Sequence, residues 1–384
     1  MLGGRSSLRR SIPRRAAPRP AVPTARGLAA SRIARKAADS AKAPWWAACA
    51  AGAAAAGAAG AAALADGATG KDPAQFAGQW CATVTEFGDD GNATTKNIGR
   101  YARHLAAEGC VGVFVCGTSG ESMSLNVEER MAQAAAWKSA GDREGLRVIV
   151  HVGCDATGDA LALARHAGSL GVAGVSCMAP RFFKCASADA LADYCAGVAA
   201  AAGSTPFLYY HFPMATNVPT PPSAFFKAAR AKIPTLAGMK FSDGNMWEYG
   251  DCCDADAAGD LAFLPGFEAQ TLAYLPYHPQ ATYGAISLSF SVAAPLHQRV
   301  ADAHYAGDAA AAHALQAQSR HFFREIGAFG WTQAIKFSLY EKGVFDSPLC
   351  RAPSKNLDAR QRADLKRVFR DLGAADPANF GGLL

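Results

Sequence analysis

The apolar positions of this chain gather into short continuous runs rather than alternating with polar ones. Eight runs rich in β-branched and apolar residues fall near 79–84 (QWCATV), 111–116 (VGVFVC), 147–152 (RVIVHV), 172–178 (VAGVSCM), 206–211 (PFLYYH), 235–240 (TLAGMK), 260–265 (DLAFLP) and 282–287 (TYGAIS). A polar loop and then an alanine-rich stretch with helical spacing follow each run. Continuous apolar strands belong to parallel sheets covered on both faces. Among the intervening segments, 127–140 reads as a helix, with Asn126 as its cap and Glu129 three residues on as the capping-box partner. Eight strand and helix units in about 230 residues predict a (β/α)8 barrel. The barrel is expected over 72–305 and a C-terminal helical extension over 306–384, where Pro348 and Pro353 interrupt the last helical stretches. A doubly wound open sheet is the competing α/β architecture, but no GxGxxG follows the first strand to make a dinucleotide site.

The first 71 residues break this pattern. Residues 1–42 hold eleven Lys/Arg and one acid, Asp39; their nine arginines, from Arg5 to Arg35, are interleaved with Ala, Ser and Pro. That is the composition of a transit peptide, so a plastid or mitochondrial address is expected and the segment is set apart from the fold. From Ala43 to Ala65 runs an uncharged stretch of 23 residues dominated by alanine and glycine. It is long enough to span a membrane, but alanine and glycine insert weakly, which favours a second targeting element or a flexible spacer over 43–71.

Half of the 384 residues are hydrophobic and 18% are charged, which excludes a disordered, collagenous or coiled-coil protein. The formal charge of +6 conceals an asymmetry: the leader carries +10, so the rest of the chain carries the difference, −4. A mildly acidic body lacks the basic footprint that nucleic acid requires. Eleven cysteines, an odd number with no CxxC pair, fit a reducing compartment. The nine histidines form no HExxH and no tight cluster with cysteine; His151 with Cys154 reads as strand-end packing, and no metal is implied.

In a barrel of this kind the chemistry sits at the C-terminal ends of the strands. Lys240 closes the apolar sixth run, where desolvation would lower its pKa and yield a neutral, nucleophilic amine suited to imine formation with a ketone. A lysine snorkelling from a strand end to solvent is the ordinary alternative, and strand context alone favours it. Tyr210 lies at the C-terminal end of the fifth run, just before His211, where a phenol beside Lys240 could shuttle protons; Tyr209 competes, since only one of two successive residues can face inward. Gly117-Thr118-Ser119-Gly120-Glu121 follows the second run and offers hydroxyls and glycine-permitted backbone NH groups to a small anion. It lacks the lysine and spacing of a phosphate loop, and an ordinary glycine turn stays open as its alternative. Ser242 and Ser287 could add hydrogen bonds to a polar substrate, though serines commonly satisfy nearby backbone groups instead.

Taken together, Gly117-Thr118-Ser119-Gly120-Glu121, Tyr210-His211-Phe212-Pro213 and Gly238-Met239-Lys240, in this order and spacing, closely resemble the pyruvate-dependent class I aldolase family of N-acetylneuraminate lyase and dihydrodipicolinate synthase. The resemblance covers 76–372 and implies a (β/α)8 barrel with a C-terminal helical extension, assembled as a homotetramer. It implies that Lys240 forms an imine with a 2-oxo acid sugar, that Thr118 and Ser119 receive its carboxylate, and that Tyr210 takes the C4 hydroxyl proton as pyruvate is released. Gly266, Glu268, Ser242 and Ser287 would bind the hydroxylated tail, and neither a metal nor an organic cofactor is needed.

Within the family, Tyr209 to Thr216 (YYHFPMAT), Lys240-Phe241-Ser242-Asp243 and Ser347-Pro348-Leu349-Cys350-Arg351 look like the lyase branch. The synthase branch carries an arginine shortly after its Tyr-x-x-Pro proline, whereas this chain reads Pro213-Met214-Ala215-Thr216. It also uses a proton-relaying tyrosine after the fourth strand, where this chain has Arg181-Phe182-Phe183-Lys184 and phenylalanine cannot relay a proton. One departure separates the chain from common lyases: their Gly-x-Asp-Glu after the seventh strand is here Gly266-Phe267-Glu268-Ala269, which removes one carboxylate and bears on the identity of the sugar. Another pyruvate aldolase, the synthase, and a non-catalytic oxo-acid binder are the alternatives.

Overall fold

The structure, a computed structural model, describes residues 72–384, so the expected leader (1–42) and spacer (43–71) lie outside the described residues. Eight parallel strands, β1 (Gly78–Ala82), β2 (Gly112–Val115), β3 (Arg147–His151), β4 (Gly174–Met178), β5 (Phe207–His211), β6 (Leu236–Phe241), β7 (Ala262–Pro265) and β8 (Gly284–Ser287), form one sheet. Hydrogen-bonded neighbours run β7-β6-β5-β4-β3-β2-β1-β8, and β8 returns beside β7 to close the ring. A Cβ at Gly284 would overlap the Phe76 carbonyl oxygen and stand 2.7 Å from Leu264 Cδ2 of β7. Each run singled out in the sequence is a strand, with ends shifted by two residues at most.

Seven helices cover the strands: α1 (Ile98–Ala107), α2 (Val127–Glu144), α3 (Thr157–Ser169), α4 (Ala188–Ala201), α5 (Pro222–Ala229), α6 (Met246–Ala255) and α7 (Phe290–Tyr305). The capping box of α2 forms as expected: Glu129 N donates to Asn126 Oδ1 at 2.7 Å, and Asn126 N donates to Glu129 Oε2 at 2.9 Å. The link from β7 to β8 departs from the eightfold alternation. It is a chain of short turns, 268–277, because Pro276 and Pro279 remove the donors that a longer helix would need. The extension consists of α8 (Ala309–Gly327), α9 (Trp331–Glu341) and α10 (Ala359–Ala375), with a single turn at Pro377–Phe380. Among the described residues no helix is long and apolar enough to cross a membrane.

Strand alternation sorts the side chains into two cores. Trp80, Ala82, Phe114, Ile149, Met178, Leu208, Leu264 and Ile286 fill the barrel, while Val113, Val115, Val148, Val150, Val175 and Phe207 pack outward against the helices. The same parity decides between the two tyrosines of β5. Tyr210 faces the interior, and Tyr209 stacks on Phe225 of α5 with ring centroids 4.2 Å apart. At the β5/β6 ladder a register irregularity passes through Gly238, whose φ of +148° and contact with the Ala262 backbone leave no space for a side chain.

Candidate active site

Alternation along β6 turns Met239 and Phe241 outward and Lys240 inward, beside Tyr210 in the β5/β6 register. Lys240 is only 4% exposed, so it does not snorkel. Its Nζ lies 4.2 Å from the centroid of the Phe114 ring and 4.6 Å from that of Tyr210. Burial disfavours the ammonium and brings the amine down to about 7, against weaker opposing pulls from Glu268 and Cys81. Burial therefore favours the neutral amine far more than it does for an exposed lysine.

The Tyr210 hydroxyl lies 3.3 Å from Thr118 Oγ1 and hydrogen-bonds to Ser242. Burial pushes the phenol up and these two bonds draw it back, to about 12. Gly266, just after β7, donates its N–H to the Phe241 carbonyl at 2.6 Å. A Cβ there would overlap Ser242 Oγ and lie 3.4 Å from Lys240 Cε, so glycine lets the β7 end approach the lysine. Lys240, Tyr210, Thr118, Ser242 and Gly266 thus come together at one rim.

The loop after β2 is bracketed by two non-glycine residues in the left-handed region, Cys116 (φ +57°) and Glu121 (φ +54°). Such strain persists only where surrounding contacts determine it. Glu121 N donates to Thr118 O at 3.0 Å, and Thr85 Oγ1 donates to Gly120 O at 2.8 Å. Thr118 is left exposed and Ser119 half-buried. The Glu121 carboxylate pairs with Lys336 of α9, which is fully buried, and accepts the Arg351 N–H at 3.1 Å. Lys336 also donates to the Leu349 carbonyl at 2.9 Å.

Glu268 is buried, with Oε1 accepting the Ser289 N–H at 3.1 Å. Its own carbonyl accepts from Thr271 Oγ1 at 2.9 Å and from Gln316 and Ser319 of α8 at 3.2 and 3.3 Å. Burial raises its carboxyl pKa, partly offset by hydrogen bonds and by Lys240. Ser287 is placed differently from the expectation. It pairs in register with outward-facing Cys81, and its Oγ lies 3.4 Å from Ser289 Oγ, in the layer between barrel and helices. Strand parity explains this, because Ile286 takes the inward position.

Sequence reasoning passed over Phe114, took His151 for strand-end packing, and passed over Ser289 and Lys336. Inward parity along β2 and β3 was the available signal for the first two. Ser289 meets Glu268 across 21 residues and Lys336 meets Glu121 across 215. Among the described residues no cluster of three or more acidic, histidine or cysteine side chains is placed to hold a metal ion.

A desolvated lysine, a phenol and a hydroxyl-bearing loop thus share the C-terminal rim of a (β/α)8 barrel, the end at which such folds carry their chemistry. The chain belongs to the dihydrodipicolinate synthetase family, which it matches over residues 75–372. It is 32% identical over 251 residues to N-acetylneuraminate lyase of Mus musculus, covering 65% of this chain and 78% of that one. N-acetylneuraminate lyase of Proteus mirabilis superposes with a TM-score of 0.73 at 31% identity, over 79% of this chain and 99% of that chain. The Aliivibrio salmonicida lyase, or sialic acid aldolase, gives 0.72 at 32% identity, over 79% and 97%. The chain is accordingly a carbon–carbon lyase and a pyruvate aldolase of class I.

Proposed function

We propose that the protein cleaves N-acetylneuraminate to N-acetylmannosamine and pyruvate through an imine on Lys240. The observation that carries this reading is the buried Lys240 amine, brought to about 7, beside the Tyr210–Thr118 contact. The neutral amine adds to the C2 ketone and water leaves, giving an iminium that accepts the electron pair of the breaking C3–C4 bond. The C1 carboxylate rests on Thr118 and Ser119. The C4 hydroxyl proton passes to the Tyr210 oxygen as Tyr210 passes its own to Thr118 Oγ1 and Thr118 hands its hydroxyl proton to the C1 carboxylate resting on it, so no free phenolate forms, in keeping with a phenol near 12. Returning that proton to C3 of the enamine and adding water to the imine releases pyruvate and restores the amine. Ser242 and Glu268 orient the hydroxylated tail.

Borohydride trapping followed by peptide mapping tests this directly. Incubation with N-acetylneuraminate is expected to leave a reduced pyruvyl adduct on Lys240, and an unlabelled Lys240 would refute the assignment. A second reading is favoured by Ala269, which brings only a methyl group to a segment that carries a second carboxylate in common lyases. If pyruvate labels Lys240 but this sugar does not, a shorter 2-oxo sugar acid or 4-hydroxy-2-oxoglutarate becomes the substrate.

Tyr210→Phe is expected to leave pyruvate trapping intact while lowering kcat for cleavage by about 10²–10³-fold, the scale of a lost proton-transfer group. A kcat within a factor of about two of wild type would remove Tyr210 from the proton path. The pH dependence has a definite sign. Because the amine is depressed to about 7, imine formation should fall about tenfold per pH unit below 7 and level off above it. An ordinary lysine would go on accelerating toward pH 10, and such a profile of trapping rate would contradict the placement of Lys240.

A further inference from the structure

His151 ends β3 and, two residues after the inward-facing Ile149, points into the barrel. Its ring stands edge-on to Tyr210 (centroids 5.6 Å, 89°) and tilted against Phe114 (6.1 Å), the two rings that flank Lys240. Nδ1 lies 2.9 Å from the Cys116 carbonyl oxygen. A carbonyl only accepts, so Nδ1 carries the proton and Nε2 the lone pair. Burial and the neighbouring Arg130 and Lys240 charges hold the ring neutral, well below the ordinary histidine range. Nε2 is buried with no hydrogen-bond partner among the described residues, and a Cβ on Gly153 would stand 2.9 Å from it.

An unpartnered buried nitrogen costs free energy that a leucine of similar size would not. The bond made by Nδ1 is what distinguishes the imidazole from such a leucine. Its acceptor is the carbonyl of left-handed Cys116, the residue that turns the chain into Gly117-Thr118-Ser119. Arg130 of α2 fixes the other side of the clamp, donating to the His151 carbonyl at 2.7 Å and the Gly153 carbonyl at 3.1 Å. The end of β3 is thereby held rigid behind the ring.

We propose that His151 is a positioning residue for substrate carboxylate binding: its Nδ1–H bond to the Cys116 carbonyl holds the turn that presents Thr118 and Ser119. The inference rests on the reading that these two residues receive the carboxylate. Asparagine can place an amide donor near the position of Nδ1, whereas leucine fills the volume without a donor.

The test measures, on the full chain, the concentration of pyruvate and of pyruvamide, a ketone lacking the carboxylate, that gives half-maximal borohydride trapping on Lys240. His151→Leu is expected to raise the pyruvate value about tenfold and leave the pyruvamide value unchanged, with His151→Asn restoring pyruvate to within about a factor of two of wild type. An unchanged pyruvate value in His151→Leu, an equal weakening of both ketones, or no recovery with asparagine would overturn the proposal. Absence of any adduct on wild-type Lys240 would instead overturn the imine reading itself, and this inference with it.

Discussion

Replacing Lys240 with methionine is expected to abolish turnover while making the folded protein more stable. In the proposed imine mechanism the amine is what turns C2 into an electron sink, and loss of such a nucleophile lowers kcat by about 10⁴–10⁶-fold. The stability effect has the opposite sign because the fold holds this lysine against its preference for water. A shift from 10.5 to about 7 corresponds to roughly 5 kcal/mol by which burial disfavours the ammonium. Between pH 7 and 10.5 the unfolded chain binds the extra proton, so wild-type stability rises with pH across that window. Methionine is unbranched and of similar length, and it avoids that cost. Lys240→Met should therefore gain up to about 4 kcal/mol near pH 7, with the gain shrinking by about 1.4 kcal/mol per pH unit toward 10.5. Calorimetric or urea unfolding at pH 7 and pH 10 measures the difference. A variant destabilised equally at both values would show that the lysine is not held against solvation.

Lys336→Met is expected to be the most destabilising single change in the C-terminal helices. Lys336 is fully buried and its Nζ serves the Glu121 carboxylate and the Leu349 carbonyl together. Removing one partner of a buried pair leaves the other charge uncompensated, at a cost of about 3–5 kcal/mol. Because Glu121 closes the loop bearing Thr118 and Ser119, the same change should raise KM for a 2-oxo acid. The double variant Glu121→Gln/Lys336→Met should recover part of the loss in a urea series, since no charge is then left buried. A single variant within about 1 kcal/mol of wild type would refute the assignment of this pair as the anchor of the loop.

The barrel was readable because its strands are buried on both faces and so appear as uninterrupted apolar runs, a signal that survives without any long-range information. Lys240, Tyr210 and Thr118 were readable because each stands at the end or just past the end of such a run, where (β/α)8 geometry puts chemistry. The turns between β7 and β8 were less so, since Pro276 and Pro279 act on an otherwise helical alanine and leucine pattern. Ser287 was misplaced by one step of strand parity, which composition at the end of a four-residue strand does not fix. His151 and Lys336 lay furthest from view. Each looks like an ordinary interior residue until the contact with Cys116 or Glu121 is known, and the sequence separations of those contacts are 35 and 215 residues.

The 215-residue interval also sets an order of events during synthesis. Glu121 leaves the ribosome long before Lys336, and Glu86, which accepts the Asp346 and Ser347 N–H groups, waits for partners 260 and 261 residues away. At translation rates of 5–20 residues per second, Glu121 goes without its counter-ion for roughly 10–40 s. A nascent barrel can close its strands in that time and still have an unfinished loop after β2. Activity should therefore emerge late, when the final helices dock, so that a growing chain does not engage 2-oxo acids before its fold is complete.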